Sequence, residues 1–283
     1  MSAKFSIVIP AYNEDEYIGI LLSEIQEEFQ TLNNLEVIVV DDGSKVLLSK
    51  VVSSDDYSYQ LKIIRNTFNL GQTESIKKGV NEASAEIIGL IDADGQNPPS
   101  ELKKLFDIFE AKNADGVVGY RQDRQDSKMK TVPSKIANYL FRLLTSSSIK
   151  DLGCSLKILK KEHLISLDLN GDMHRFIAPM LEKREVEILQ IPTLHKSRTT
   201  GKTNYGLGRI IPVIVDSILF YLTKGFQGSS RYTLGKLSFY LTLSGIIALL
   251  ISTFQKFALS IFIHRNPVFL ISIFFFLMAI QIF

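Results

Sequence analysis

Five short apolar runs separated by longer amphipathic stretches constrain this chain more than any other feature. Phe5–Ile9, Val37–Val40, Leu61–Ile64, Ile87–Ile91 and Gly116–Gly119 each read as a buried strand, because unbroken apolar runs of this length suit a sheet covered on both faces. Between them, Glu14–Phe29 and Ser100–Lys112 carry helical periodicity, the second opened by Pro98-Pro99-Ser100 in the manner of a helix start. Strands alternating with helices predict a doubly wound α/β sheet. A chain of 283 residues, 46% of them hydrophobic, can bury the core such a sheet needs. Ligands of doubly wound sheets sit beyond the carboxyl ends of the strands, so function is to be sought just after each run.

Those positions are occupied by Pro10-Ala11-Tyr12-Asn13-Glu14, Asp41-Asp42-Gly43-Ser44, Asn66 to Gly71, Asp92-Ala93-Asp94-Gly95-Gln96 and Tyr120-Arg121. A dinucleotide site is excluded, because no glycine-rich turn follows the first run. Gly201-Lys202-Thr203 suggests a phosphate-binding loop, but Lys196 stands where its first glycine belongs and no strand feeds it.

The acidic cluster is the most chemically pointed of these segments. At the end of an extended segment Asp92, Asp94 and Gln96 are expected on one face. Three oxygen donors there would suit Mg²⁺ or Mn²⁺, which take one or two carboxylates and leave the remaining positions to phosphates and water. Calcium sensing of the EF-hand kind is excluded, since Asn97 and Lys103 replace the required glycine and glutamate. The same aspartates would equally cap the turn and helix that follow. Spacing alone does not choose between the two.

Charge is unevenly distributed. Lysine and arginine number 32 against 30 acids, so a net charge of +2 gives no global case for nucleic-acid binding. From Leu237 to Gln255 nineteen residues carry no charge, the length of a membrane span. A second run, Val268 to Phe283, is sixteen residues, short for a span. Lys196, Arg198, Lys202, Arg209, Lys224, Arg231 and Lys236 precede the first span, against Lys256 and Arg265 after it. That bias predicts that the soluble domain faces the cytoplasm. Arg209 to Leu222, rich in apolar residues with Asp216 the one charge after Arg209, suits a helix lying in the membrane interface, although a core helix fits the same pattern. The single cysteine, Cys154, allows no internal disulfide and reads as a packing residue. No signal peptide is expected.

The ordered set Val8 to Glu14, Val40 to Ser44, Asn69-Leu70-Gly71, Asp92 to Gln96 and Gly119-Tyr120-Arg121 resembles the family 2 glycosyltransferases of GT-A fold. Asp151-Leu152-Gly153-Cys154-Ser155, His174-Arg175-Phe176 and His195 to Tyr205 narrow the resemblance to the polyprenyl-phosphate branch, which includes dolichol-phosphate mannose synthases and bacterial undecaprenyl-phosphate sugar transferases. It implies a doubly wound mixed sheet, then an amphipathic interface helix and C-terminal transmembrane helices. Pro10, Tyr12, Glu14 and Asp41 would cradle the nucleoside, with Asp92 and Arg175 completing the donor site. Asp92, Asp94 and Gln96 would face Mg²⁺ or Mn²⁺ and the donor diphosphate. Lys45-Val46-Leu47-Leu48 departs from the family's usual continuation after Asp-Gly-Ser, so the segment after Asp42 is expected to start differently.

The implied reaction is an inverting transfer from a UDP- or GDP-sugar to a polyprenyl phosphate, undecaprenyl or dolichyl, at the surface of a bacterial plasma membrane. Asp94, Arg121, Arg198 and Lys202 are the candidate catalytic residues, the cations because two phosphates must be held close together. His174 is the weakest of the phosphate candidates. The expected partners are the nucleotide sugar, the polyprenyl phosphate and the bilayer, with a homo-oligomer left open and no nucleic acid. A processive polysaccharide synthase is disfavoured, because its Gln-x-x-Arg-Trp motif needs a tryptophan and the chain has none. The chain is expected to divide into a catalytic domain at 1–206, an interfacial segment at 207–235 and a membrane domain of two spans at 236–283.

Overall fold

The computed structural model describes residues 3–122, 147–196, 230–262 and 265–282. The chain divides into two compact units, Met1–Asp216 and Ser217–Phe283. In the first, seven strands form one sheet: β1 Phe5–Ala11, β2 Leu35–Asp41, β3 Gln60–Arg65, β4 Ile87–Leu90, β5 Gly116–Arg121, β6 Lys157–Lys160 and β7 Ile188–Thr193. Their order is β3-β2-β1-β4-β6-β5-β7. Every pairing is parallel except those of β6, which runs antiparallel to β4 and β5. The mixed sheet matches the fold expected, and all five strands foreseen are present with ends displaced by at most two residues.

The helices are α1 Ile18–Glu28, α2 Gln72–Glu82, α3 Pro99–Lys112, α4 Lys161–Ser166 and α5 Ile177–Glu182. Buried faces follow helical spacing, as in Ile18, Leu21, Leu22 and Ile25 of α1. Under the sheet, Phe5 of β1, Phe29 after α1 and Phe106 of α3 form an aromatic cluster, with ring centroids 4.4 to 6.2 Å apart. No helix joins β2 to β3. Two short 3₁₀ turns, Leu48–Lys50 and Ser54–Asp56, make the crossing, consistent with the departure that begins at Lys45.

The parallel strands place all their carboxyl ends on one edge. Because β6 runs the other way, it brings its beginning, Lys157, and the residues before it to that same edge.

The second unit contains α6 Ser230–Leu259 and α7 Pro267–Ile282. The Ser238 hydroxyl of α6 donates to the Ala279 carbonyl of α7 at 2.9 Å, and Asn266 Nδ2 donates to Gln255 Oε1 at 2.8 Å. Start meets end and end meets start, so the pair is an antiparallel hairpin. Leu234–Leu259 is the one described helix long and apolar enough to cross a membrane, with α7 shorter at 16 residues. The interfacial segment expected at 207–235 lies almost wholly outside the described residues.

Candidate active site

Asp42 knits the loops at the carboxyl edge together. Its buried carboxylate accepts from Asn66 Nδ2 at 2.7 Å and from the Leu70 and Gly71 main-chain N–H groups, each at 2.9 Å. Asp41, also buried, accepts from the Ser44 N–H at 2.8 Å and pairs with Arg65 Nη1. Asn13 closes the network, since its N–H donates to Ser44 Oγ and its Oδ1 accepts from the Lys45 N–H, each at 2.9 Å. Beside this frame, Pro10 lines a small cavity, Tyr12 is 47% exposed, and the Glu14 carbonyl accepts the first N–H groups of α1. Pro10, Tyr12, Glu14 and Asp41 thus lie at or just after the carboxyl ends of β1 and β2.

The acidic cluster differs in detail from the expectation. β4 ends at Leu90, and Asp92 to Gln96 form a turn instead of an extended segment. Asp94 Oδ1 accepts the Gln96 N–H at 3.1 Å, which closes the turn on itself. Gly95 sits at φ +70°, and a Cβ there would meet the Tyr17 ring at 2.6 Å. Only glycine satisfies both demands cheaply. The Gln96 carbonyl accepts the Lys196 N–H at 2.8 Å, so the segment after β7 is tied to the acidic turn.

Burial and the neighbouring Asp94 push the Asp92 carboxyl up to about 6, against the opposing pull of Lys157, Ser155 and Arg121. Gln72 Nε2 donates to Asp92 Oδ1 at 2.6 Å. Two carboxylates in a poorly solvated turn leave an excess of negative charge, which a divalent cation would satisfy. Among the described residues no group of three or more His, Cys, Asp or Glu assembles. Asp92 and Asp94 would offer a hard cation two carboxylates, with its remaining positions left to phosphate and water.

Arg121, at the end of β5, is gripped by Asp151: Nε donates to Oδ2 at 2.7 Å and Nη2 to Oδ1 at 2.8 Å. Asp151 also accepts the Arg121 and Gly153 N–H groups, at 3.2 and 3.0 Å. A Cβ on Gly153 would lie 2.4 Å from Arg121 Nη2, so the guanidinium lies over a position without a side chain. Arg175 sits in the 3₁₀ turn Met173–Phe176, and its guanidinium makes no hydrogen bond or ion pair among the described residues. Arg198 and Lys202 lie outside the described residues.

Sequence reasoning passed over Lys157. Its ammonium is buried, donates to the Cys154 carbonyl at 2.5 Å, and has its pKa pulled down by burial. The available signal was a lysine inside the apolar run Leu156-Lys157-Ile158-Leu159. Cys154 is buried with its thiol pushed up by desolvation, which fits a packing role.

The acidic turn at the carboxyl edge of a mixed sheet in this strand order places the protein among the GT-A-type transferases. Glucosyl-3-phosphoglycerate synthase from Mycobacterium tuberculosis, solved with Mn²⁺, uridine diphosphate and glucosyl-3-phosphoglycerate, matches with a TM-score of 0.62 at 16% identity, over 77% of this chain and 80% of that one. Mannosyl-3-phosphoglycerate synthase from Rubrobacter xylanophilus matches with a TM-score of 0.63 at 15% identity, over 80% of this chain and 76% of that one. At such identities the likeness is one of fold. Residues 6–167 match the domain described as glycosyl transferase family 2, and the chain belongs to that family.

Similar curated proteins include the dodecaprenyl-phosphate galacturonate synthase of Rhizobium johnstonii, 29% identical over 99% of this chain and 85% of the relative. The undecaprenyl-phosphate 4-deoxy-4-formamido-L-arabinose transferase of Yersinia pestis is 32% identical over 76% of this chain. The chain spans 66% of that second relative's length.

Proposed function

We propose that this glycosyltransferase moves a sugar from a nucleotide sugar to a polyprenyl phosphate at a membrane surface, with inversion at the anomeric carbon. The observation that carries the reading is the Asp92 and Asp94 pair at the carboxyl edge, in a family 2 chain whose relatives are named for polyprenyl-phosphate products. The bond from the anomeric carbon to the donor diphosphate breaks, and a bond from that carbon to an acceptor phosphate oxygen forms. A phosphate monoester is already largely ionised at neutral pH, its second pKa lying near about 6. No general base is then required.

Asp92 and Asp94 would hold Mg²⁺ or Mn²⁺, with Gln96 beside them. Bound there, the cation supplies neutralisation of charge developing on the leaving diphosphate. Gln72 orients the Asp92 carboxylate, and Lys157 tempers the negative charge behind it. Arg121 and Arg175 would meet phosphate oxygens at this edge, and Arg198 and Lys202 are assigned the same role from sequence. The rim of Pro10, Tyr12, Glu14 and Asp41 would receive the nucleoside. α6 and α7 would anchor the enzyme in a bacterial plasma membrane with the catalytic unit cytoplasmic. Supporting this, Phe239, Leu250, Phe254 and Phe257 on α6 are all more than 60% exposed, an apolar surface suited to lipid. The proposed division is a catalytic domain at 1–206, an interfacial segment at 207–235 and a membrane domain at 236–283.

The test is incubation of purified full-length protein with labelled nucleotide sugars, undecaprenyl phosphate and Mg²⁺ or Mn²⁺. Label should enter the organic phase, and both EDTA and Asp94→Ala should reduce it by about 10³-fold, a metal being worth several kcal/mol of transition-state stabilisation. No organic-phase label with any donor, or transfer indifferent to Asp94→Ala, refutes the reading.

A further inference from the structure

His174 lines the same small cavity as Asp92, Gln72, Ser155 and Lys157. Its surroundings determine which ring nitrogen carries the hydrogen and which is left to act. Thr73, 1% exposed, accepts the His174 main-chain N–H on Oγ1 at 3.2 Å, and the same hydroxyl lies 2.9 Å from His174 Nδ1. No other acceptor is bonded to that hydroxyl among the described residues. If its hydrogen pointed anywhere but at Nδ1, it would be buried without a partner. Thr73 therefore donates to Nδ1, and the neutral ring carries its own hydrogen on Nε2. Burial, reinforced by the Arg175 and Lys157 charges, pulls the ring's pKa down to about 3, so it is neutral under physiological conditions.

Two roles are excluded by this arrangement. The ring cannot pair with phosphate as a cation. Nor can it act as a general base, because its one lone pair is turned to Thr73. What the cavity receives is a single uncharged donor of set direction. Nε2–H makes no hydrogen bond among the described residues. The anionic parts of a donor substrate are matched by the cation site and by arginines. With those anionic parts already matched, the uncharged sugar oxygens are what a lone neutral donor has left to meet.

We infer that His174 donates from Nε2–H to a hydroxyl oxygen of the transferred sugar, with Thr73 fixing the tautomer, and so helps to select the donor sugar. The inference rests on the nucleotide-sugar reading above. The sugar is joined directly to the diphosphate, which places its hydroxyls beside the acidic turn that shares this cavity.

The experiment compares His174→Gln, whose amide nitrogen can reach the Nε2 position, with His174→Asn, which reaches only toward Nδ1. Calorimetry on full-length protein with Mn²⁺ would measure binding of UDP, UDP-glucose, UDP-galacturonate, GDP and GDP-mannose. His174→Asn should weaken the nucleotide sugar that wild type binds best by about 5- to 10-fold, the upper half of the range for losing one hydrogen bond. Binding of the matching nucleoside diphosphate should stay within about twofold, and His174→Gln should stay within about threefold of wild type for both ligands. Thr73→Val should reproduce part of the Asn effect and Thr73→Ser should not.

Equal losses in the Asn and Gln variants, a parallel loss for the bare nucleoside diphosphate, or no loss at all each overturn the inference. So does a wild-type protein that binds no nucleotide sugar more tightly than its nucleoside diphosphate. Wild type that binds a nucleotide sugar but passes no label to undecaprenyl phosphate refutes the proposed acceptor instead, and the binding comparison still decides the role of His174.

Discussion

Replacing Asp151 with asparagine should separate a buried charge pair at the site from the surface pairs around it. The Asp151 and Arg121 side chains are 7% and 12% exposed, and among the described residues Asp151 accepts four hydrogen bonds, two from the guanidinium and two from main-chain N–H groups. Asparagine has the same shape but one acceptor oxygen, and its amide would turn N–H toward the donors it cannot receive. Breaking a buried pair by removing one partner costs about 3 to 5 kcal/mol, because the remaining charge stays desolvated. Taking the lower end, since some exposure remains, the loss is ~3 kcal/mol. At about 2 to 4 °C per kcal/mol for a unit of this size, apparent Tm should fall by about 6 to 12 °C.

The control is Asp115→Asn. Asp115 pairs with Lys160 at 2.5 Å, but the two are 41% and 36% exposed. An exposed pair contributes about 0 to 1 kcal/mol, so its loss should shift Tm by no more than about 4 °C. Thermal unfolding of detergent-solubilised full-length protein, followed by circular dichroism, reads both variants. The double replacement R121M/D151L should be more stable than Asp151→Asn alone, because no charge is left buried without a partner. Equal shifts for Asp151→Asn and Asp115→Asn, or a double variant no better than the single, would refute the reasoning.

Glu36, buried with hydrogen bonds from Ser6 and the Ser84 N–H and an ion pair to Lys62 at 2.6 Å, offers a pH-dependent test. Burial alone would raise its pKa, but those partners outweigh it and hold the carboxyl below its ordinary value. Its contribution is therefore present above the unfolded pKa of about 4.3 and lost as pH falls through the lower folded value. Urea titrations should show Glu36→Gln less stable than wild type at pH 7, with the gap closing below about pH 4.3. Gly153→Ala places a Cβ 2.4 Å from Arg121 Nη2 and should displace the guanidinium. It should lower kcat/KM for transfer by about tenfold, a typical cost of misplacing one charged contact, with a smaller Tm loss than Asp151→Asn because both charges stay paired. Phe5→Ala, which empties the centre of a cluster with Phe29 and Phe106, should cost about 3 to 5 kcal/mol in the same urea titrations.

Much of the site was legible because strand ends mark it. Asp41, Asp42, Asp92, Asp94 and Arg121 all follow apolar runs that the sequence displays openly. Lys157 was not, because it begins a strand instead of following one, and the rule of carboxyl ends holds only for strands running with the rest. The apolar run up to Ile91 gives no sign of where β4 stops, so the sequence suggests an extended segment where Asp92 to Gln96 form a turn. Gly95 permits the turn through its positive φ and its contact with the Tyr17 ring, which no local pattern displays.

Taken alone, the sequence determined β1 to β5, α1 and α3, and which polar residues stand at those strands' ends, but not β6, β7 or α2. Periodicity and turn chemistry are local, so they survive without knowledge of neighbours. Only tertiary structure decided that β6 enters between β4 and β5 in the opposite sense, carrying Asp151 onto Arg121 and Lys157 behind Asp92. It also placed Thr73 against His174, 101 residues away along the chain. Such pairings are set by strand order and burial across the whole sheet, and no window of sequence contains both partners.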